Sequence, residues 1–185
     1  GPSADDGHTR GMITLSTHGI NPSLYGSKLP LDALNDFGFL AVAAELKNVV
    51  VVNPKVPAKN MQELVRYARD NPGKINFGSA GVGSGSHLTG ELFKLLAKVD
   101  LLHVPYKGSS QVTTALLSGE VMLAITNPIS SLSHVKAGRI KNLGVTSMQR
   151  WPLFAEYPTL NESGVPGYEL YIWNGIVVRA GTPQS

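Results

Sequence analysis

The sequence predicts an α/β fold in which helices flank a mostly parallel sheet. Between residues 48 and 147, five strand-like runs alternate with four helix-like runs. The first of these runs contains four consecutive valines, which are typical of a strand. The next run, 58–73, repeats its apolar residues at the spacing of one helix face. Alternation of this kind favours parallel strands that are joined by right-handed crossover helices.

The individual elements are predicted from apolar runs and from the residues that end them. The predicted strands are 11–17, 48–54, 74–79, 101–106, 121–126 and 140–147, and residues 168–179 are predicted to form a last extended pair. The predicted helices are 58–73, 86–99, 108–120 and 130–138. Ser109 or Ser110 is expected to cap the third helix, and Gly119 to end it. Residues 18–32 are predicted to be loop because two prolines interrupt them.

Composition narrows the class of protein. The chain has 185 residues, of which 42% are hydrophobic and 16% are charged, as in an ordinary globular protein. The net charge of +3 is not concentrated in one run, which argues against a nucleic-acid partner. No apolar stretch reaches the roughly 18 residues of a membrane helix. Cysteine is absent and the histidines are scattered, so we expect neither a disulfide nor a metal site.

A loop of small residues, GSAGVGSGS at 78–86, lies between a predicted strand and a predicted helix. Glycine allows tight turns and lets a ligand approach the backbone. Because a helix N-terminus offers unpaired N–H groups and a partial positive charge, we expect the N–H groups of Ala80 to His87 to converge on an anion. The loop matches neither the dinucleotide-binding fingerprint nor the P-loop nor the nucleophile elbow. We therefore expect no organic cofactor.

Two other interpretations of this loop stay open. His87 lies close in sequence to Ser84 and Ser86, so a serine–histidine pair would make the protein an α/β enzyme that acts on a small organic acid. Alternatively, Gly81 and Gly83 form only a turn that joins the strand to the helix. Two further loops, at 16–21 and 126–130, also follow predicted strands and are rich in small polar residues.

Several motifs together resemble the substrate-binding proteins of tripartite tricarboxylate transporters, the Bug or TctC family. The resemblance covers nearly the whole chain and is carried by the segments STHGINPSLY, VVVNPKVPAKN, GSAGVGSGSHLTGELFK, HVPYKGSSQ, HVKAGRIKNLGVTS and YPTLNESGVPGYE. It implies a periplasmic binding protein-like fold of type II, with two α/β lobes and a ligand in the cleft. It also implies a periplasmic receptor, not an enzyme, that captures a small carboxylate and delivers it to the membrane permease components.

The resemblance extends to domain organisation. It implies that this chain is a fragment that lacks both ends of a full member. Residues 1–45 would form part of the first lobe and a crossover, 46–148 the second α/β lobe, and 149–185 the return crossover with another part of the first lobe.

The resemblance also nominates ligand-binding residues. The family loop that contacts a carboxylate matches this chain at Ser79, Ala80, Gly81, Gly83, Ser84 and His87. A first-lobe loop of the family matches Ser16, Thr17 and His18. Where the family often has Asp-Asn, this chain has Thr126-Asn127, so an acceptor-only carboxylate is replaced by a hydroxyl that also donates. This departure indicates a ligand that differs from the hydroxyl-bearing ligands of relatives.

Overall fold

The computed structural model describes residues 9–183, so the outer ends of the predicted ranges 1–45 and 149–185 lie outside the described residues. The chain divides into two compact units. The first comprises Gly1–Leu46 and Ile172–Ser185, and the second comprises Lys47–Tyr171. The second unit therefore continues past residue 148, because Phe154, Leu160 and Tyr168 are buried in its core.

Eight strands and five α-helices are present among the described residues. The strands are β1 (Gly11–Thr14), β2 (Phe37–Leu46), β3 (Val49–Val52), β4 (Asn76–Ser79), β5 (Leu102–Pro105), β6 (Leu123–Thr126), β7 (Lys141–Val145) and β8 (Ile172–Arg179). The helices are α1 (Asn21–Tyr25), α2 (Met61–Asp70), α3 (Gly85–Ala97), α4 (Ser109–Ser118) and α5 (Pro128–Lys136). Among these described residues, no helix has the length and apolar character that spanning a membrane requires.

The second unit contains a five-stranded sheet in the order β5-β4-β6-β3-β7. Strand β4 pairs in parallel with β5 and β6, whereas β3 pairs antiparallel with both β6 and β7. Four strands thus run in one direction and β3 alone is reversed. The predicted α/β class is confirmed, and the sheet is mixed because hydrophobic periodicity specifies a strand but not its direction.

Both faces of this sheet are covered by helices. Val50 and Val52 pack into a core formed with residues of α2 and α3. Val49 and Val51 point the other way and pack with residues of α4. The run of four valines is therefore buried on both sides, as the sequence of a central strand requires.

Two helix starts differ from the prediction. Helix α4 has Gly108 as its N-cap and no side-chain capping bond, so the expectation of a serine cap is wrong. Helix α5 begins earlier than predicted, at Pro128, because Asn127 caps it and proline is well suited to a first helical turn.

The first unit contains a three-stranded antiparallel sheet in the order β1-β8-β2. The prediction of a loop at 18–32 is wrong, since a π-helix (Leu15–Ile20), α1 and a 3₁₀ turn (Gly26–Lys28) occupy much of this range. Of the predicted extended pair at 168–179, only β8 is a strand. Strand β2 leaves Phe39, Leu40 and Val42 each more than half exposed, whereas Ile13 of β1 and Val177 of β8 are buried.

Candidate functional site

The glycine loop, residues 80–84, connects the end of β4 to the start of α3. Ser84 is the N-cap of α3, and its hydroxyl oxygen accepts from His87 N at 3.2 Å. Gly81 has a φ of +125° and Gly83 a φ of +76°, so both lie in the region that side chains rarely adopt. A Cβ on Gly81 would also lie 3.3 Å from the backbone oxygen of Tyr106. The backbone of this loop therefore requires glycine at both positions.

Several backbone N–H groups of the glycine loop are already hydrogen-bonded to side chains that flank it. Ala80 N donates to Ser86 Oγ at 2.9 Å, and Gly81 N donates to Ser79 Oγ at 3.2 Å. Gly83 N donates to His87 Nδ1 at 3.3 Å. Of the N–H groups from Ala80 to His87 that are expected to converge on an anion, those of Ala80, Gly81 and Gly83 therefore already have partners and are not free to bind it.

Three N–H groups of this segment remain without a partner among the described residues. They belong to Val82, Gly85 and Ser86. Gly85 and Ser86 are the first two residues of α3, where the helix itself provides no acceptor. The backbone donors available to a ligand are thus concentrated at the N-terminus of α3, where the helix dipole also favours an anion.

Three aromatic rings stack next to the glycine loop. The ring of His103, on β5, lies between Phe77 and His87, with centroid distances of 4.9 Å and 4.1 Å. The interplanar angles are 26° and 23°. His103 Nε2 lies 2.6 Å from Ser79 Oγ, the hydroxyl that contacts the backbone of Gly81. His103 and Ser86 were not predicted as site residues.

The environment of the His103 ring favours its neutral form. Burial lowers the pKa of His103, and the neighbouring His87 and Lys94 lower it further, whereas Glu91 opposes them. Gly83 N donates to His87 Nδ1, so His87 in this arrangement carries no proton on that nitrogen. His87 Nε2 faces Glu91 at 3.9 Å. Neither Ser84 nor Ser86 hydrogen-bonds the His87 ring, so the serine–histidine pair considered from the sequence is not formed.

The loop after β6 uses its polar groups mainly to start α5. Asn127 Oδ1 accepts from Ile129 N at 2.9 Å and so caps the helix. Thr126 is buried, and its hydroxyl lies 3.3 Å from Ser130 Oγ, which donates to Asn127 O at 2.8 Å. The amide nitrogen of the Asn127 side chain has no hydrogen-bond partner among residues 9–183.

Sheet topology brings these two loops to the same edge. Strands β4 and β6 are adjacent and parallel, with Gly78 opposite Ala124. Their carboxyl ends, Ser79 and Thr126, therefore lie at one edge of the sheet, together with the starts of α3 and α5. In α/β sheets this edge is where ligands bind.

The remaining candidates, Ser16, Thr17 and His18, lie in the π-helix of the first unit. Thr14 and Thr17 form a reciprocal capping box, and Thr17 Oγ1 lies 2.9 Å from His18 Nδ1. The rings of His18 and Phe37 pack in a T-shaped arrangement with centroids 5.0 Å apart, and burial lowers the pKa of His18. Its Nε2 is buried and has no partner among the described residues. The sequence does not predict that this nitrogen is buried without a partner.

Comparison with known proteins places these features in a family. The family model described as tripartite tricarboxylate transporter family receptor matches residues 2–185. A UPF0065 protein from the tcbD-tcbE intergenic region of Pseudomonas sp. (strain P51) is 38% identical over 181 residues, which are 97% of this chain and 53% of that protein. The chain thus spans about half the length of this curated relative.

Solved structures agree with this family and with a periplasmic binding protein-like fold. R. palustris Rpa4515 with adipate is 36% identical with a TM-score of 0.91, and the match covers 98% of this chain and 60% of that one. MatC (Rpa3494) from Rhodopseudomonas palustris with bound malate is 29% identical with a TM-score of 0.85, over 98% of this chain and 61% of that one. The chain therefore belongs to the tripartite tricarboxylate transporter receptor family.

Proposed function

We propose that the protein binds a small organic carboxylate in the periplasm, without catalysis, and delivers it to the membrane permease components of a tripartite tricarboxylate transporter. The observation that carries this proposal is the pair of unpartnered N–H groups, Gly85 and Ser86, at the N-terminus of α3. Relatives that were solved with adipate and malate support a carboxylate as the ligand class.

The donors of the second unit supply only part of the binding energy. A hydrogen bond to a charged group contributes roughly 1.5–3 kcal/mol, and a helix dipole roughly 0.3–1 kcal/mol. Two such bonds with the dipole give roughly 3–7 kcal/mol, whereas a micromolar dissociation constant needs about 8 kcal/mol. Additional contacts are needed, and we propose that Ser16, Thr17 and His18 contribute some of them.

The alternative, an enzyme that acts on a small organic acid, finds less support. His87 contacts the Gly83 N–H group and faces Glu91, and neither contact activates a serine. The closer serine–histidine contact, Ser79 to His103, involves a serine side chain that is fully buried and out of reach of a substrate. Recovery of the solute unchanged after incubation distinguishes a receptor from an enzyme.

Calorimetry on the intact protein with adipate, malate and a panel of mono- and dicarboxylates tests the proposal. Gly83→Val should abolish binding, since a β-branched side chain cannot keep the loop's φ of +76°. Gly138→Val is the matched control, because Gly138 has a φ of +67° and open space around it, beyond the far end of α5. Full affinity in a folded Gly83→Val variant would place the anion elsewhere, and equal loss in both variants would show that the loss is not specific to the glycine loop.

A further inference from the structure

We propose that His103 is a positioning residue for the glycine loop, which it holds through the hydroxyl group of Ser79. This inference rests on the proposed function, because it concerns the same loop. His103 itself lies on β5, opposite Phe77 in the parallel register, and not in the loop. Its role would be to fix the backbone that presents the free N–H groups.

The hydrogen bonds around Ser79 are mutually compatible when His103 is the donor to its hydroxyl group. Ser79 Oγ lies 3.2 Å from both the N and the O of Gly81, and 2.6 Å from His103 Nε2. The hydroxyl has only one hydrogen. With a proton on Nε2, His103 donates to Ser79 Oγ, and Ser79 then donates to Gly81 O while it accepts from Gly81 N. All three contacts are then satisfied at once, and both polar groups of Gly81 are held.

The ring of His103 also supports the contact that holds Gly83. Its ring stacks on His87, whose Nδ1 accepts from Gly83 N. Phe77, fully buried, supports the opposite face of the His103 ring. His103 thus contacts, through one nitrogen and one ring face, the side chains that hold Gly81 and Gly83. The free donors of Val82, Gly85 and Ser86 belong to the same short segment, so a loop held at these points is pre-organised for a ligand.

The test compares His103→Phe with His103→Gln in the intact protein. Phenylalanine keeps a stacked ring but removes the contact with Ser79, whereas the glutamine amide nitrogen can take the place of Nε2. Amide hydrogen exchange at Gly81, measured by NMR, reports the loop without any ligand, and calorimetry with adipate reports binding. Tyr106→Phe is the matched control, because it removes a hydrogen bond to Glu120 from an aromatic ring just beyond β5.

We expect His103→Phe to accelerate exchange at Gly81 and to weaken adipate binding, each about tenfold, which is the usual effect of losing one hydrogen bond. His103→Gln should restore both to within about threefold, and Tyr106→Phe should change neither. Ser79→Ala alone and Ser79→Ala combined with His103→Phe should weaken binding equally, since loss of the Ser79 hydroxyl already removes the contact that His103 makes.

Two results would overturn the inference. Unchanged exchange at Gly81 in His103→Phe shows that the loop does not depend on His103, whether or not adipate binds. Faster exchange with unchanged affinity shows that the loop's order does not matter for the ligand. A wild-type protein that binds no carboxylate contradicts the proposed function instead, and the exchange measurement still decides whether His103 holds the loop.

Discussion

Gly90, in the middle of α3, is the residue whose substitution tests the packing beneath the glycine loop. A Cβ on Gly90 would lie 2.8 Å from two ring carbons of Phe77 and closer still to a third. Ordinary van der Waals contact begins at about 3.4 Å, so the ring would have to move. Phe77 is fully buried and stacks on His103, so the displacement would reach the residues that hold the loop.

Two opposing effects set the size of the change. Alanine is favoured over glycine inside a helix by roughly 0.5–1 kcal/mol. Overpacking of a dense core costs roughly 1–3 kcal/mol, and the severe overlap here places Gly90→Ala near the upper end. We therefore expect the free energy of unfolding to fall by about 2 kcal/mol. Urea denaturation followed by circular dichroism measures this difference.

Repeating the substitution in a Phe77→Leu variant separates the effect of steric overlap from the effect of helix propensity. In Phe77→Leu the ring is absent, so Gly90→Ala should there be neutral or stabilising, and the double-mutant cycle should show a large coupling energy. If Gly90→Ala stabilises the protein with Phe77 in place, the contact between α3 and β4 does not limit the side chain at this position, and the reasoning fails.

Three further predictions concern the cap of α3, the histidines and the second loop. Ser84→Ala removes the oxygen that accepts from the α3 backbone and should lower the free energy of unfolding by about 1 kcal/mol; an unchanged denaturation midpoint would contradict this. Burial lowers the pKa of His103 and of His18, so the unfolded state binds more protons below about pH 6.5, and stability should be lost as the pH falls through that value. Melting temperatures between pH 7.5 and pH 5.5 should show this loss, with a smaller slope in His103→Gln; an equal slope would exclude His103 as a contributor. Thr126→Asp places a charge at a buried position beside Ser130, so it should lower the melting temperature and change which carboxylates give a thermal shift, and an identical ligand profile would refute a role in specificity.

The alternation of strands and helices in the second unit was predictable from sequence because each element buries a periodic apolar pattern. The valine run of β3 and the apolar stripe of α2 show this directly, since their buried residues are the predicted ones. The π-helix Leu15–Ile20 and α1 were missed because the run 11–17 predicts a single strand, and because Pro22 with its polar neighbours predicts a loop.

The sequence alone determined the family, the class of fold and the position of the glycine loop, since these depend on local composition and on motif order. Only the tertiary structure decided which groups of that loop are free. Ser79 and His103 are far apart in sequence but become neighbours because β4 pairs in parallel with β5. The reversal of β3 was likewise decided by contacts between distant residues, because periodicity records burial but not the partner across the sheet. The partners of the Ala80, Gly81 and Gly83 N–H groups lie only two to six residues away, but these bonds depend on the loop conformation, which periodicity does not specify.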